Sequence, residues 1–304
     1  MKISTSFLFD RATDRMSTLQ NQLATTQAQL SVSKQVLSPS DAPEKAAAIS
    51  RLQGQIDRQD SHGKLLKTTL NRYLAEETAL NSANDLLIRL KELGIQAAND
   101  TLGAEERKTI GVEMEALRDQ LISLGNTQDD NGNYLFSGTR VRTAAFRADG
   151  YGHIQYQGDQ TPTQVPAGVE RTVEYTRSGT DVFQRVVRSD GTAVSFFDAL
   201  DEMIAAVNGN NTGDIQQGIG DLTQMHDALN LSLAQTGSDQ KVVQSQLDVL
   251  DETTLRLKST LSDIEDLNYA EAVTRMNKEV MALEAAMSSF TKIASLSLFD
   301  YIGR

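Results

Sequence analysis

Both ends of the chain carry an apolar stripe that steps by three and four residues. Near the start it reads Met16, Leu19, Leu23, Thr26, Leu30, and near the end Met276, Val280, Leu283, Met287, Phe290, Ala294. Such spacing keeps one seam of an α-helix apolar, and a seam without a local partner buries itself against another helix. Two terminal seams flanking a different middle predict a chain that folds back and joins its ends. That suits a subunit built for assembly better than an enzyme built around a pocket.

Composition agrees. Of 304 residues 39% are hydrophobic and only 5% aromatic, with no Trp. That is thin for one thick core but enough for long helices that share Leu, Ile, Val and Ala along seams. The net charge of −12 and the scattered Lys and Arg exclude a general nucleic-acid binder, which needs concentrated positive charge. No cysteine is present, so disulfides, thiolate metal sites and Cys nucleophiles are all excluded. A cysteine-free chain also fits a protein that leaves the cell unfolded and must not cross-link on the way. The first ten residues hold one Lys and no long apolar run, so no Sec-type signal peptide is expected. No stretch approaches the roughly 20 apolar residues of a membrane span, so no membrane insertion is expected either.

Along the chain, a Ser/Thr-rich start leads into the first helix, which stops before Pro39 and Pro43. Asp41 and Glu44 have the spacing of a capping box for the next helix. That helix is expected over 43–98, with Ile49, Leu52, Ile56, Leu66, Leu70, Tyr73, Leu80 and Leu87 on one seam. Gln59, Gly63, Glu77 and Asn84 loosen the same seam. Glu76, Glu77, Lys91 and Glu92 read as a solvated face. A turn at 99–104 precedes a helix over 105–128 using Ile110, Met114, Leu117, Leu121 and Leu124. From 133 to 194 the period changes to two. His153-Ile154-Gln155-Tyr156 and Thr172-Val173-Glu174-Tyr175 read as strands, and Asp149-Gly150, Gly158-Asp159 and Asp190-Gly191 as turns. Helical spacing returns with Phe196, Leu200, Ile204 and Val207, then Ile215 to Leu229 after a turn at 208–211. A last long helix is expected from about Ser238 through Val243, Leu247, Leu250, Leu257, Leu261 and Ile264, with an interruption at 264–269.

The fold class expected is therefore mainly α with a β-rich insert. The division runs 1–40 (N-terminal assembly segment), 41–132 (helical core), 133–195 (outer β-rich domain), 196–263 (helical core again) and 264–304 (C-terminal assembly helix).

Chemistry-bearing patterns are absent. His62, His153 and His226 are the only histidines and lack ligand spacing, so no metal is expected. Asp129-Asp130-Asn131-Gly132 invites a calcium loop, but registered on Gly132 the two decisive ligand positions fall on Thr127 and Gly138, leaving a plain turn. There is no His-Glu-x-x-His and no phosphate-binding loop after a strand. No paired acid and base or activated nucleophile is visible, so no cofactor and no enzyme activity are expected.

Several motifs in order resemble the flagellin superfamily, and more closely its hook–filament junction branch. They are Ile3-Ser4-Thr5-Ser6, then Gln27-Ala28-Gln29-Leu30-Ser31-Val32-Ser33-Lys34, then Pro39-Ser40-Asp41-Ala42-Pro43. Leu90-Lys91-Glu92-Leu93-Gly94-Ile95-Gln96-Ala97-Ala98-Asn99 and Asn131-Gly132-Asn133-Tyr134-Leu135-Phe136-Ser137-Gly138 follow. Ile264-Glu265-Asp266-Leu267-Asn268-Tyr269-Ala270-Glu271-Ala272 and Ser295-Leu296-Ser297-Leu298-Phe299-Asp300-Tyr301 complete the set. About the first 140 and last 70 residues are covered. Val32-Ser33 and Leu267-Asn268 depart slightly from the usual pattern.

The resemblance implies a flagellin-like, long antiparallel helical bundle or coiled coil built from both termini, with an outer middle domain. It implies a structural subunit of the extracellular flagellum that joins hook to filament. The implied partners are other hook-associated proteins, flagellin, further copies of itself in a ring, and a cytoplasmic export chaperone. Export would be unfolded, through the flagellar type III apparatus. The assembly interface would use Met16, Leu19, Leu23, Leu30, Ile264, Met276, Val280, Leu283, Met287, Phe290 and Leu298. In flagellins the stretch matching 89–96 is read by an innate immune receptor, and Arg89, Leu93 and Glu113 align with that surface. A short flagellin remains an alternative, and a coiled-coil adhesin a more distant one.

Burying a Leu-sized side chain contributes roughly 1.5–3 kcal/mol, whereas ordering a residue costs about 1–2 kcal/mol. With one apolar residue in three or four, a lone terminal helix falls short. Residues 1–35 and 270–304 are therefore expected to be largely disordered in the free subunit and to fold as subunits pack.

Overall fold

A computed structural model describes residues 2–168 and 171–302. The side chains of residues 2–6, 8 and 293–302 lie outside the described set, and with them the motifs at 3–6 and 295–301 and the assembly candidate Leu298. Seven helices and six short strands are described: α1 (Lys2–Val32), α2 (Pro43–Ala97), α3 (Ala104–Gly125), β1 (Phe146–Ala148), β2 (Ile154–Tyr156), β3 (Gln164–Pro166), β4 (Thr172–Glu174), α4 (Gly179–Val182), β5 (Val186–Val187), β6 (Ala193–Val194), α5 (Phe196–Asn208), α6 (Thr212–Glu265) and α7 (Tyr269–Ile302). The protein is mainly α with small sheets, as the periodicity predicts.

The chain divides into two compact units, one of residues 1–60 with 252–304 and one of residues 61–251. In the first, α1 and α7 pack on each other. They run antiparallel, because Phe9 meets Phe290 while Gln29 meets Arg275. Helix α1 already begins at Lys2, so the Ser/Thr-rich start is helical rather than a leader to the helix. Asp41 does not cap α2. Its carboxylate accepts from the Ser38 backbone N–H at 2.8 Å, closing the preceding turn. Proline at the first helical position lacks the N–H that α2 would otherwise have to satisfy.

In the second unit, the expected α2 seam is buried at Leu66, Tyr73, Leu80 and Leu87 and continues through Leu90, Leu93 and Ala97. Arg107 ends this helix by donating from Nε to the Ala97 carbonyl at 2.8 Å and from Nη2 to that of Asn99 at 2.9 Å. Helix α3 stops at Gly125 rather than at 128 and packs on α5. Helix α6 is unbroken from Thr212, so the new start expected near Ser238 does not exist. Glycine at 237 costs a helix about 1 kcal/mol. The buried stripe Leu229, Ser232, Thr236, Val243, Leu247 and Leu250 runs straight past it and holds the helix together.

The insert consists of three separate antiparallel hairpins, β1–β2, β3–β4 and β5–β6. Two of the expected turns join strands: Asp149 accepts at its side chain from the backbone N–H groups of Tyr151 and His153, and Asp190 from that of Thr192. Phe146 of β1 meets Phe183, after α4, and Phe197 of α5, and Phe183 also meets Phe196 of α5, with neighbouring ring centroids 5.0–5.7 Å apart. Hairpin β3–β4 does not project outward alone. Val165, Ala167 and Val173 share a core with Leu66 and Tyr73 of α2 and Val243, Leu247 and Leu250 of α6.

Candidate assembly surface

The residues expected at the assembly interface fall mostly on α1 and α7. Met16, Leu19, Leu23 and Leu30 on α1, and Met276, Val280, Leu283 and Phe290 on α7, are half-buried, as is Ile264 at the end of α6. Phe9 and Phe290 pack with ring centroids 4.6 Å apart. Met287 is 51% exposed and Met281 60%. The most buried positions of the pair are not large: Thr26 is 3% exposed and Ala272 0%. Two helices alone thus cover half of each seam, and the apolar side chains of Phe7, Val32, Met281 and Met287 stay exposed. Around Thr26 the groove is polar, lined by Thr18, Asn21, Gln29, Arg275 and Glu279, with a volume of about 470 Å³.

Where the two helix pairs reverse, the chain is stitched. Gln35 donates its backbone N–H to Glu265 O at 2.8 Å, and Leu267 donates to Ser33 O at 3.0 Å. Lys34 bridges Asp266 through the backbone and pairs with the Glu265 carboxylate through its ammonium. Ser33 adopts φ of 56°, a left-handed conformation that ends α1 sharply.

The second unit holds a row of buried charges that sequence reading missed. Glu76 was expected on a solvated face, yet its side chain is 1% exposed. It lies between Arg72 and Arg177, 3.6 Å from the Nε of each. Arg72 pairs with Asp129 at 3.2 Å and donates to the carbonyls of Tyr134 at 3.1 Å and Leu135 at 2.7 Å. Arg177 pairs with Asp239 at 3.2 Å and donates to Gln235. Arg72 also lies over the Tyr175 ring at 5.2 Å. Burial pushes the Glu76 carboxyl up to about 7, against the opposing pull of Arg177 and Arg72. The only sequence signal was the Arg72–Glu76 spacing of four, which is common on solvated faces.

Asp129 forms the plain turn expected, accepting backbone N–H groups of Asn131 and Asn133 at 2.9 Å each, with Gly132 at φ of 75°. Arg89 pairs with Glu113 at 2.8 Å on the surface, whereas Leu93 beside them is 2% exposed. Among the described residues no group of His, Asp and Glu is placed to hold a metal ion, and no helix is long and apolar enough to cross a membrane.

Comparison with known proteins agrees with this architecture. The model of the bacterial flagellin N-terminal helical region matches residues 3–141, and that of the flagellin C-terminal helical region matches residues 219–302. Flagellar hook-associated protein 3 of Escherichia coli (strain K12) is 25% identical over 318 residues, which cover 99% of each chain. Flagellin A of Vibrio anguillarum is 28% identical over 157 residues, 44% of this chain and 40% of its own. The crystal structure of Xanthomonas campestris FlgL superposes with a TM-score of 0.62 at 22% identity, covering 70% of this chain and 99% of that one. With its paired terminal helices, its three-hairpin insert and both helical-region models matched in order, this chain belongs to the flagellin family.

Proposed function

We propose that this chain is a structural subunit of the bacterial flagellum, seated where the hook side meets the flagellin filament. The observation that carries the reading is the alignment with hook-associated protein 3, which covers 99% of each chain.

The role is geometric rather than catalytic. Terminal helices α1 and α7 dock among neighbouring subunits, and their half-covered seams supply the apolar area for that docking. Within the interface, Met16, Leu19, Leu23, Leu30, Ile264, Met276, Val280, Leu283, Met287, Phe290 and Leu298 pack against neighbouring helices. A ring of copies contacts hook-associated protein on one side and flagellin on the other. Before assembly the subunit is exported unfolded, with a cytoplasmic chaperone on its terminal seams.

Electron microscopy and sedimentation of the full-length protein, alone and with hook or flagellin seeds, test this. A monomer that adds a short collar to hook-associated seeds and then accepts flagellin is the expected result. Long filaments from this protein alone would make it a flagellin, and indifference to both seeds would overturn the flagellar reading.

A further inference from the structure

We infer that Glu76 takes up a proton when residues 61–251 fold, which makes the attachment of the β-rich insert to α2 and α6 sensitive to pH near neutrality. Five side chains alternate in charge along one line: Asp129, Arg72, Glu76, Arg177, Asp239. The outer two carboxylates occupy the hydrogen-bonding places, each 3.2 Å from a terminal guanidinium nitrogen. Glu76 has what remains, a distance of 3.6 Å to each Nε, too long for a hydrogen bond. Neither of its oxygens has a hydrogen-bond partner, and both are buried.

Counting charges decides which form is cheaper. With Glu76 ionised, three carboxylates face two guanidiniums; Asp239 is part-exposed at 30%, so the surplus negative charge falls on Glu76, whose side chain is 1% exposed. With Glu76 protonated, the line becomes two balanced pairs. A buried charge without hydrogen bonds costs several kcal/mol, so the neutral form is preferred. The upward push on the Glu76 carboxyl described above has the same sign.

The remaining neighbours do not supply a compensating charge. From α2, Glu77 accepts from Gln240 of α6 at 2.8 Å, and the Tyr73 hydroxyl donates to the Glu174 carbonyl of the insert. The Tyr73 hydroxyl is itself pushed up by burial and stays neutral. Because the folded-state value lies above the ordinary 4.5, the group's contribution to stability is full below that pH and is lost as pH rises toward 7. Arg177 belongs to the insert, so the loss falls on the insert's anchorage.

Urea unfolding of the full chain and of Glu76→Gln at pH 5 and pH 8 tests this. The amide copies the neutral form, so the wild type should lose stability relative to the variant between the two pH values. A difference between the two proteins that stays constant, or that grows in favour of the wild type at pH 8, would overturn the inference. Should Glu76→Gln not fold, infrared spectra of an Asp201→Asn protein read the proton directly, since Asp201 is also pushed up by burial. A protonated carboxylic-acid band present at pH 6 and gone at pH 8 is expected, and its absence at pH 6 would refute the idea.

Discussion

Arg72 donates to the carbonyl oxygen of Leu135 across 2.7 Å, spanning a sequence separation of 63 residues from the middle of a helix to the first turn of the insert. The same guanidinium reaches Tyr134 O and Asp129, so one side chain holds three groups of the loop. Lysine offers a single ammonium without the planar fork. Arg72→Lys is therefore expected to lower unfolding free energy by about 2 kcal/mol or more, since at least one buried carbonyl loses its donor. Urea titration followed by circular dichroism measures this, and an unchanged midpoint would show that the loop is held by something else.

Met203 fills the space between two glycines on different helices. A Cβ at Gly218 would lie 2.5 Å from Met203 Cγ, and one at Gly94 would lie 2.3 Å from Met203 Cε. Gly218→Ala should destabilise by about 1–3 kcal/mol, because the clash involves the inner part of the side chain. Gly94→Ala should cost less, since the flexible methyl end can move. Adding Met203→Ala to Gly218→Ala should recover part of the loss, which a double-mutant cycle reads as coupling.

On the terminal pair, Leu283→Ala and Phe290→Ala remove half-buried seam side chains without touching the second unit. Both variants are expected to add poorly to hook-associated seeds, while near-ultraviolet signals from the insert's aromatic cluster stay at wild-type strength. Normal collar formation by both would remove these residues from the interface. A companion measurement is limited proteolysis of the free subunit: cleavage within 1–35 and 270–304 before any cut in 61–251 is expected.

Asp159 provides an acid-side prediction. Its carboxylate accepts from Thr139 and Thr161 backbone N–H groups at 2.9 and 3.1 Å, and the Thr139 bonds hold it below the ordinary 3.8. A lowered folded-state value adds stability that is present above pH 3.8 and lost as pH falls through the folded value. Asp159→Asn should accordingly fall below the wild type at pH 6, and the gap should narrow as pH falls below 3.8. Parallel curves over that range would contradict the assignment.

How much of this was legible beforehand follows from the kind of signal each feature leaves. Long seams such as Leu66, Tyr73, Leu80 and Leu87 repeat often enough to be read from spacing, and all four are buried. Short strands with clear turns, such as those flanking Asp149 and Asp190, were also visible. Glu76 was not, because nothing at its own position tells a solvated carboxylate from one that Arg177, 101 residues away, will cover. The start expected near Ser238 failed for the opposite reason: Gly237 weakens the helix locally, and packing along α6 overrules it. Thr26 stood in the expected α1 stripe, but that it would be the best-covered residue there depends on α7 lying against it.

The stitching at 33–35 and 265–267 gives the two ends of the chain a shared fate. Backbone bonds cross in both directions between the reversal after α1 and the one before α7. Both arms leave from the same few bonds, and they pack on each other beyond them. A truncation that removes only the last helix leaves these bonds in place but takes away the helix that α1 packs on, and so exposes the first helix as well. Damage to one terminus is thus damage to both, and an assembly that grips this protein by its ends is holding one handle rather than two.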